Sequence, residues 1–475
     1  MDYSKYFNKP SLKQARKRKR AETEIVRLDT SNLKAIGKGK KALIVTYGCQ
    51  GNEADTETMR GIFARLGFDV ARGEKDADII ILNTCAVREN AENRIFGELG
   101  RLKQYKRTNP DLILGVAGCM PQEERVFEAL LEKYPYVDLV FGTHNIHKLP
   151  EYLESALYNK ERVVEVFSDE GEIIENQPKV RDHKHKAFVP IMYGCDEFCT
   201  YCIVPYTRGK ERSRQLEDIL EEIRELIDQG YQEVTLLGQN VNAYGNDLKG
   251  EVNFATLLDA LRETNLARVR FTTSHPKDFT KDTVRALAKG GNLMPHIHLP
   301  VQSGSDKVLK KMNRGYTKAE YLTLVEDIYS QIPHAAITTD IIVGFPGETK
   351  EDFEHTLDLV RAARFEGAFT FVFSPREGTP AAGYKDDTPV STKKARLQTL
   401  NEKVNEGYRR GHARFEGEVV EVLVDGVSKN DPGMLAGYSE HNKLVNFRGD
   451  ASLIGTIVPV RITTAKTWFL LGEAA

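Results

Sequence analysis

Tyr193-Gly194-Cys195-Asp196-Glu197-Phe198-Cys199-Thr200-Tyr201-Cys202 sets three cysteines within eight residues. No His or Cys stands between 203 and 274 to complete a local four-ligand zinc site. Three thiolates at this spacing fit a four-iron cluster whose fourth iron stays open to a small molecule. Cys195, Cys199 and Cys202 are therefore candidate metal ligands. Tyr193, Phe198, Tyr201 and Ile203 would exclude solvent and tune the potential.

The run follows a strand expected over Lys186–Met192. Further strands are expected at Glu233–Leu237, Arg268–Thr273, His296–Leu299, Ala336–Ile342 and Ala368–Phe373. Amphipathic helices such as Leu216–Gln229, Tyr316–Gln331 and Thr349–Arg364 separate them. The repeats predict a partial (β/α)6 barrel over 181–409, with its site at the C-terminal ends of the strands.

The chain's other three cysteines, Cys49, Cys85 and Cys119, each end an apolar run. Strands are expected at Lys41–Tyr47, Ala77–Thr84 and Asp111–Val116, with helices over Asp55–Leu66 and Asn90–Lys106. Alternating strands and helices predict a doubly wound parallel sheet over 41–157. Ligands of such sheets gather beyond the carboxyl ends of the strands. An inert core cysteine belongs inside a strand, but these follow strands, beside Gly48, Asn83-Thr84 and Gly118. They form a second candidate metal-ligand set.

Residues 410–475 are strand-rich and punctuated by Gly, Asp and Asn, which predicts a small all-β barrel. Its strands are expected at Gly417–Val424, Lys443–Phe447, Gly455–Thr464 and Trp468–Leu471. Six Lys/Arg against eight Asp/Glu from 411 onward do not by themselves mark an RNA binder. Trp468 there reads as a core residue or as a base-stacking one. Asp169–Lys184 is polar and reads as a linker.

The 475-residue chain has a net charge of -2, unevenly spread. Residues 1–41 carry a local +9, densest at Lys13–Arg20. The extension 1–40 reads as disordered, either a solvated tail or a steering arm for a polyanion. No apolar run approaches a membrane span, so no membrane is expected. Free cysteines at metal spacing predict a reducing, cytoplasmic setting.

With these motifs in place, the chain resembles the radical S-adenosylmethionine superfamily. Over 41–475 it resembles the methylthiotransferases within it. Gly48-Cys49-Gln50-x-Asn52, Asn83-Thr84-Cys85-Ala86-Val87-Arg88 and Gly118-Cys119-Met120-Pro121-Gln122 look like their N-terminal domain. Cys195 through Tyr206-Thr207-Arg208-Gly209, His298-Leu299-Pro300-x-Gln302-Ser303-Gly304 and Asp340 through Gly344-Phe345-Pro346-Gly347-Glu348 look like their radical core. The last barrel looks like their TRAM domain, an OB-like RNA-binding module. Cys49-Gln50-x-Asn52 and Val204–Gly209 resemble the subgroup acting on N6-isopentenyladenosine at position 37 of tRNA. Gly51 departs from it, standing where Met is usual.

The resemblance implies two [4Fe-4S] clusters, one on each triad, and S-adenosylmethionine on the open iron of the Cys195 cluster. Cleavage there gives a 5′-deoxyadenosyl radical, and the Cys49 cluster carries the inserted sulfur. It also implies an electron donor such as flavodoxin or ferredoxin. Gly238, Gln239 and Asn240 resemble the family's glycine-rich segment near the methionine amino group, with a plain strand-end turn as the alternative. Ser274, His275, Gln302 and Arg314 follow strands or stand at the pocket edge and are candidates to touch S-adenosylmethionine or tRNA. The Gly344–Gly347 turn is a candidate to shape the site of the cofactor's adenine or simply to cap its strand. Two other readings fit the same motifs. One is the same chemistry on threonylcarbamoyl-adenosine tRNA or a ribosomal-protein aspartate. The other is a non-catalytic two-cluster carrier or RNA binder.

Overall fold

The computed structural model describes residues 23–29, 33–87, 89–166 and 172–475. The basic run Lys13–Arg20 and Arg88 lie outside them.

The N-terminal sheet has six parallel strands in the spatial order Asp69–Val70, Lys41–Tyr47, Ile79–Thr84, Ile113–Gly118, Leu139–Phe141, Val163–Glu165. Alternate strand residues feed two cores. Ile44, Ile79 and Ile81 pack on the helix Gln50–Arg65 through Met59, Ile62 and Phe63. Ile80, Leu82 and Val116 pack on the other face, against Leu99 of Glu89–Thr108 and Phe127 of Glu124–Lys133. The sheet is doubly wound, as expected. From Lys41–Tyr47 the chain turns to one side, and from Ile79–Thr84 to the other. Cys49 and Cys85 leave the sheet at this switch point, where α/β sheets open their binding crevice.

The central region is a partial barrel of six parallel strands in two three-stranded sheets, with its first and last strands unpaired to each other. Lys186–Pro190, Glu233–Leu237 and Arg268–Phe271 form one half; His296–His298, Ala336–Val343 and Gly367–Val372 form the other. Its helices are amphipathic, and several are capped. Ile219, Ile223 and Leu226 of Leu216–Asp228 are buried at helical spacing. Thr317 with Glu320, and Thr349 with Asp352, close capping boxes on Lys318–Gln331 and Lys350–Ala363.

The C-terminal strands Val419–Val427, Leu435–Ser439, Leu444–Arg448, Ile457–Ala465 and Leu470–Ala474 form a closed barrel. It docks beneath the central one. Arg268, fully buried, donates to the carbonyls of Tyr438 and Glu421, both at 2.9 Å. Arg270 donates to Ser439 O at 2.7 Å and Glu440 O at 3.0 Å.

Two expectations are corrected. Asp169–Lys184 is not a plain linker. Ile173–Glu175 is a strand, paired in parallel with Ile25–Arg27. Its charges are used: Glu175 accepts from buried Arg214 at 2.6 and 2.7 Å, and Arg181 donates to Glu57 at 2.9 Å and Glu222 at 2.6 Å. The extension 1–40 is likewise ordered over its described part. Leu33 and Ile36 pack on the sheet core, and Gly37 N–H donates to Leu66 O at 2.9 Å.

Candidate active site at two cysteine triads

Each cysteine of the first triad follows a strand of the switch-point region. Gly118 has φ of +98°, and a Cβ there would stand 2.4 Å from Thr84 O, so only glycine can deliver Cys119. Asn52 Oδ1 accepts from Cys49 N–H at 3.3 Å, and its Nδ2 donates to Asn83 Oδ1 and Thr84 O. Asn83 Nδ2 donates back to Asn52 O at 2.7 Å. These two buried amides tie the Cys49 turn to the Cys85 turn. A hydrogen bond from Cys85 holds the Cys49 thiol below its ordinary value, aided by Arg208 and the N–H groups of Asn52 and Gly51. The same bond and burial push Cys85 up. Burial pushes Cys119 up to about 11 despite Arg208.

Arg208 comes from the central barrel. Its Nε donates to Cys119 Sγ at 3.2 Å and its Nη2 to Asp55 at 2.6 Å. The loops of the two triads touch here: Cys119 and Ala86 pack against Ile203, the neighbour of Cys202.

The second triad hangs on Gly194, with φ of +77°; a Cβ there would lie 1.9 Å from Lys210 O. Gly194 N–H donates to Gln239 Oε1 at 2.6 Å. Asn313 Nδ2 donates to the carbonyls of Glu197 and Phe198 at 2.9 and 3.1 Å. Arg314 is buried and fully engaged. Nη1 donates to Cys199 Sγ at 3.3 Å and Tyr201 OH at 3.4 Å, Nη2 to Pro300 O at 2.7 Å, and Nε to Tyr316 OH at 2.9 Å. Burial raises Cys195 and brings Cys202 up to about 12.

Four non-glycine residues with positive φ mark the region: Phe198 at 47°, Thr273 at 68°, Gln302 at 72° and Asn313 at 60°. A β-branched threonine in this conformation is strained, and such strain collects at functional sites. Each lies within a candidate segment or one residue before a candidate. Gln302 N–H donates to Asp340 O, and its carbonyl accepts from Ile342 N–H, both at 2.9 Å. Gly238 is packed so that a Cβ would meet Met192 at 2.7 Å. Asn240 Nδ2 donates to Asp278 at 2.6 Å, but its Oδ1, Ser274 Oγ and His275 Nε2 are buried without hydrogen-bond partners. The Gly344–Gly347 turn follows Ala336–Val343, with Phe345 buried against Phe373 and Tyr384.

The donor set fits iron–sulfur clusters. Among the described residues, Glu197, His275 and Asp278 form the one metal-type group closing within 4.8 Å, and Lys277 already pairs with Glu197 there at 2.8 Å. Neither cysteine triad closes that far. Thiolates on one tetrahedral zinc would stand about 3.8 Å apart. The unpartnered atoms of Asn240, Ser274 and His275 leave polar capacity for a bound molecule beside the Cys195 loop.

A cavity of about 860 Å³ runs along the barrel's interior. Cys49 and Gln50 line it, with Phe188, His298, Phe369 and Trp468. Trp468 is thus not a core residue. Arg208 and Asp55 are the members sequence reasoning missed. Arg208 lay within a quoted motif, but its partner is 89 residues away in another fold unit.

Three family models match the chain: Radical SAM superfamily over 189–360, Uncharacterized protein family UPF0004 over 41–142, and TRAM domain over 413–475. The chain is 58% identical to the tRNA-2-methylthio-N(6)-dimethylallyladenosine synthase of Geobacillus thermodenitrificans, over 100% of this chain and 92% of the relative. The enzyme of that name from Bacillus subtilis is also 58% identical, over 99% of this chain and 94% of the relative. The radical S-adenosylmethionine methyltransferase TsrM from Kitasatospora setae, solved with cobalamin and a [4Fe-4S] cluster, matches in fold. Its TM-score is 0.54 at 15% identity, over 72% of this chain and 77% of TsrM.

Proposed function

The chain belongs to the tRNA-2-methylthio-N(6)-dimethylallyladenosine synthase family, and from that premise we propose how its two triads share one reaction. The reaction adds a methylthio group to C2 of N6-(dimethylallyl)adenosine at position 37 of tRNA, by radical S-adenosylmethionine chemistry. A [4Fe-4S] cluster and S-adenosylmethionine belong to the radical core. When bound, the cofactors supply a carbon-centred radical that takes hydrogen from an unactivated C–H position and, in our reading, the sulfur that replaces it.

The chain's own residues divide the remaining work. Cys195, Cys199 and Cys202 would hold the radical-generating cluster, and Cys49, Cys85 and Cys119 a second [4Fe-4S]. Arg314 and Gln239 position the Cys195 loop. Asn240 and Ser274 would offer their unpartnered oxygens to S-adenosylmethionine, with Gly238 allowing close packing and Gln302 a fixed turn. Arg208 and Asp55 hold the two halves in register. The observation that carries this reading is the packing of Cys119 on Ile203, which sets one triad beside the other.

We divide the chain into a sheet domain at 41–157, a radical core at 181–409 and a TRAM domain at 410–475. The substrate is tRNA. Its N6-isopentenyladenosine would enter the cavity lined by Cys49. A small flavodoxin or ferredoxin would supply electrons. No described helix is long and apolar enough to cross a membrane, and six unpaired cysteines suit the cytoplasm. Nucleoside mass spectrometry on tRNA from cells with and without the gene tests the reading. Loss of 2-methylthio-N6-isopentenyladenosine, with its unmethylthiolated precursor accumulating, is expected. An unchanged nucleoside profile would refute it.

A further inference from the structure

The last barrel strand, Gly367–Val372, carries two exposed rings. Phe369 is 59% and Phe371 47% exposed, while Ala368 and Val372 pack on the core. Strand alternation places both rings on one face. Among the described residues this strand pairs only with Ala336–Val343, so its free edge borders the barrel's opening. Trp468 sits at the tip of the hairpin joining Ile457–Ala465 to Leu470–Ala474 and is 59% exposed. Tyr408 joins the two places. Its ring lies 4.9 Å from Trp468, and a Cβ on Gly367 would meet it at 2.8 Å. Phe369, Tyr408 and Trp468 all line the cavity that reaches Cys49.

We propose that Phe369, Phe371 and Trp468 form a stacking platform for the unpaired RNA bases that flank the modified nucleoside. The proposal rests on the tRNA reading and names the residues that would receive the bases beside position 37. A base turned into the cavity toward Cys49 leaves its neighbours unstacked, and exposed rings at the mouth replace those lost contacts. Charge does not distinguish this surface. Lys186, Arg270 and Lys443 on the lining are paired with Asp425, Glu233 and Glu366. Exposed π faces are what remain, and every base has a matching one. A peptide would want a continuous apolar groove, whereas the lining here mixes rings with polar side chains such as Thr235, His298 and Thr338.

Trp468 is the chain's single tryptophan, so its emission reports on this place alone. The experiment titrates the full, cluster-reconstituted chain with isopentenylated tRNA, following tryptophan emission and, separately, filter binding. Saturable quenching is expected, with the midpoint found by filter binding. Trp468→Ala and Phe371→Ala should each weaken binding about tenfold, the effect of one lost base stack. Trp468→Phe, which keeps a ring, should bind within about twofold of the parent. Both side chains are exposed, and unchanged thermal midpoints would confirm folding. Unchanged emission together with undiminished affinity in both Ala variants would overturn the platform and leave the tRNA reading intact. Failure of the parent chain to bind tRNA at all would instead overturn that reading.

Discussion

Arg208 concentrates the account at the scale of one residue. It donates to a cysteine of one domain from the loop of another, and Asp55 fixes its far side. A hydrogen bond to a ligand sulfur stabilises the more reduced, more negative cluster. If Cys49, Cys85 and Cys119 hold the proposed second cluster, Arg208→Met should therefore lower its midpoint potential by tens of millivolts and leave that of a cluster on the Cys195 triad unmoved. Potentiometric titration followed by electron paramagnetic resonance checks this; coincident shifts of both clusters, or none, would count against it. Gly51 bears on the subgroup departure. A Cβ there would meet Arg208 Nη2 and Cys49 Sγ at 3.5 Å, ordinary contact, so the site has room for a side chain. Gly51→Ala should keep its clusters and leave stability unchanged or raised by up to about 1 kcal/mol, read from denaturant unfolding. The six cysteines stood out in the sequence as candidates because ligand chemistry leaves few residue types, at short spacing in one set and after strand ends in the other. Arg208 did not, since its partner is set by how two domains pack.

Elements were legible where burial alternates or repeats strictly. Lys41–Tyr47 and Glu233–Leu237 stand where apolar patterning put them. The two-residue edge strand Asp69–Val70 is exposed on both residues and carried no such pattern. The helix Gln50–Arg65 begins five residues before the expected Asp55. Gly51 and Asn52 are poor helix formers, yet Asn52 caps the turn from within. The supposed linker misled because its polarity is satisfied inside the protein. Its Lys179 and Arg181, together with Arg214, pair with Glu222 of the helix Leu216–Asp228. Burial alone would raise its carboxyl, but the three cations outweigh burial and hold it well below the ordinary carboxylate range. Glu222→Ala leaves those cations unpaired and should cost about 3–5 kcal/mol, read from denaturant unfolding. Because the folded state depresses this carboxyl, its contribution is full above the ordinary value near 4.5 and is lost as pH falls below it. The parent chain's stability should therefore drop in that acid range, and the drop should shrink in the variant.

At the scale of the whole molecule, three fold units meet on buried charge. The C-terminal barrel docks through Arg268 and Arg270, beside two buried histidines. Burial, with Arg414, His334, Lys443 and Arg270 nearby, brings His441 down to about 3. Burial and Lys443 bring His412 down to about 4. Histidines held neutral in the fold stabilise it above their ordinary value, and that stability is lost as pH falls from about 6.5 toward 4. Hydrogen exchange in Val419–Val427 and Leu435–Ser439 should accelerate over that window before exchange in the N-terminal sheet does; uniform exchange across the chain would contradict this docking account. Both triads, on the proposed function, serve one reaction with separable tasks. That division is tested most directly by one assay on two variants, Cys199→Ala and Cys85→Ala, each supplied with isopentenylated tRNA, S-adenosylmethionine and reductant. Liquid chromatography with mass spectrometry follows 5′-deoxyadenosine and the modified nucleoside together. Cys199→Ala should form neither, while Cys85→Ala should form 5′-deoxyadenosine without the methylthio nucleoside. Methylthio product from Cys85→Ala would contradict the account.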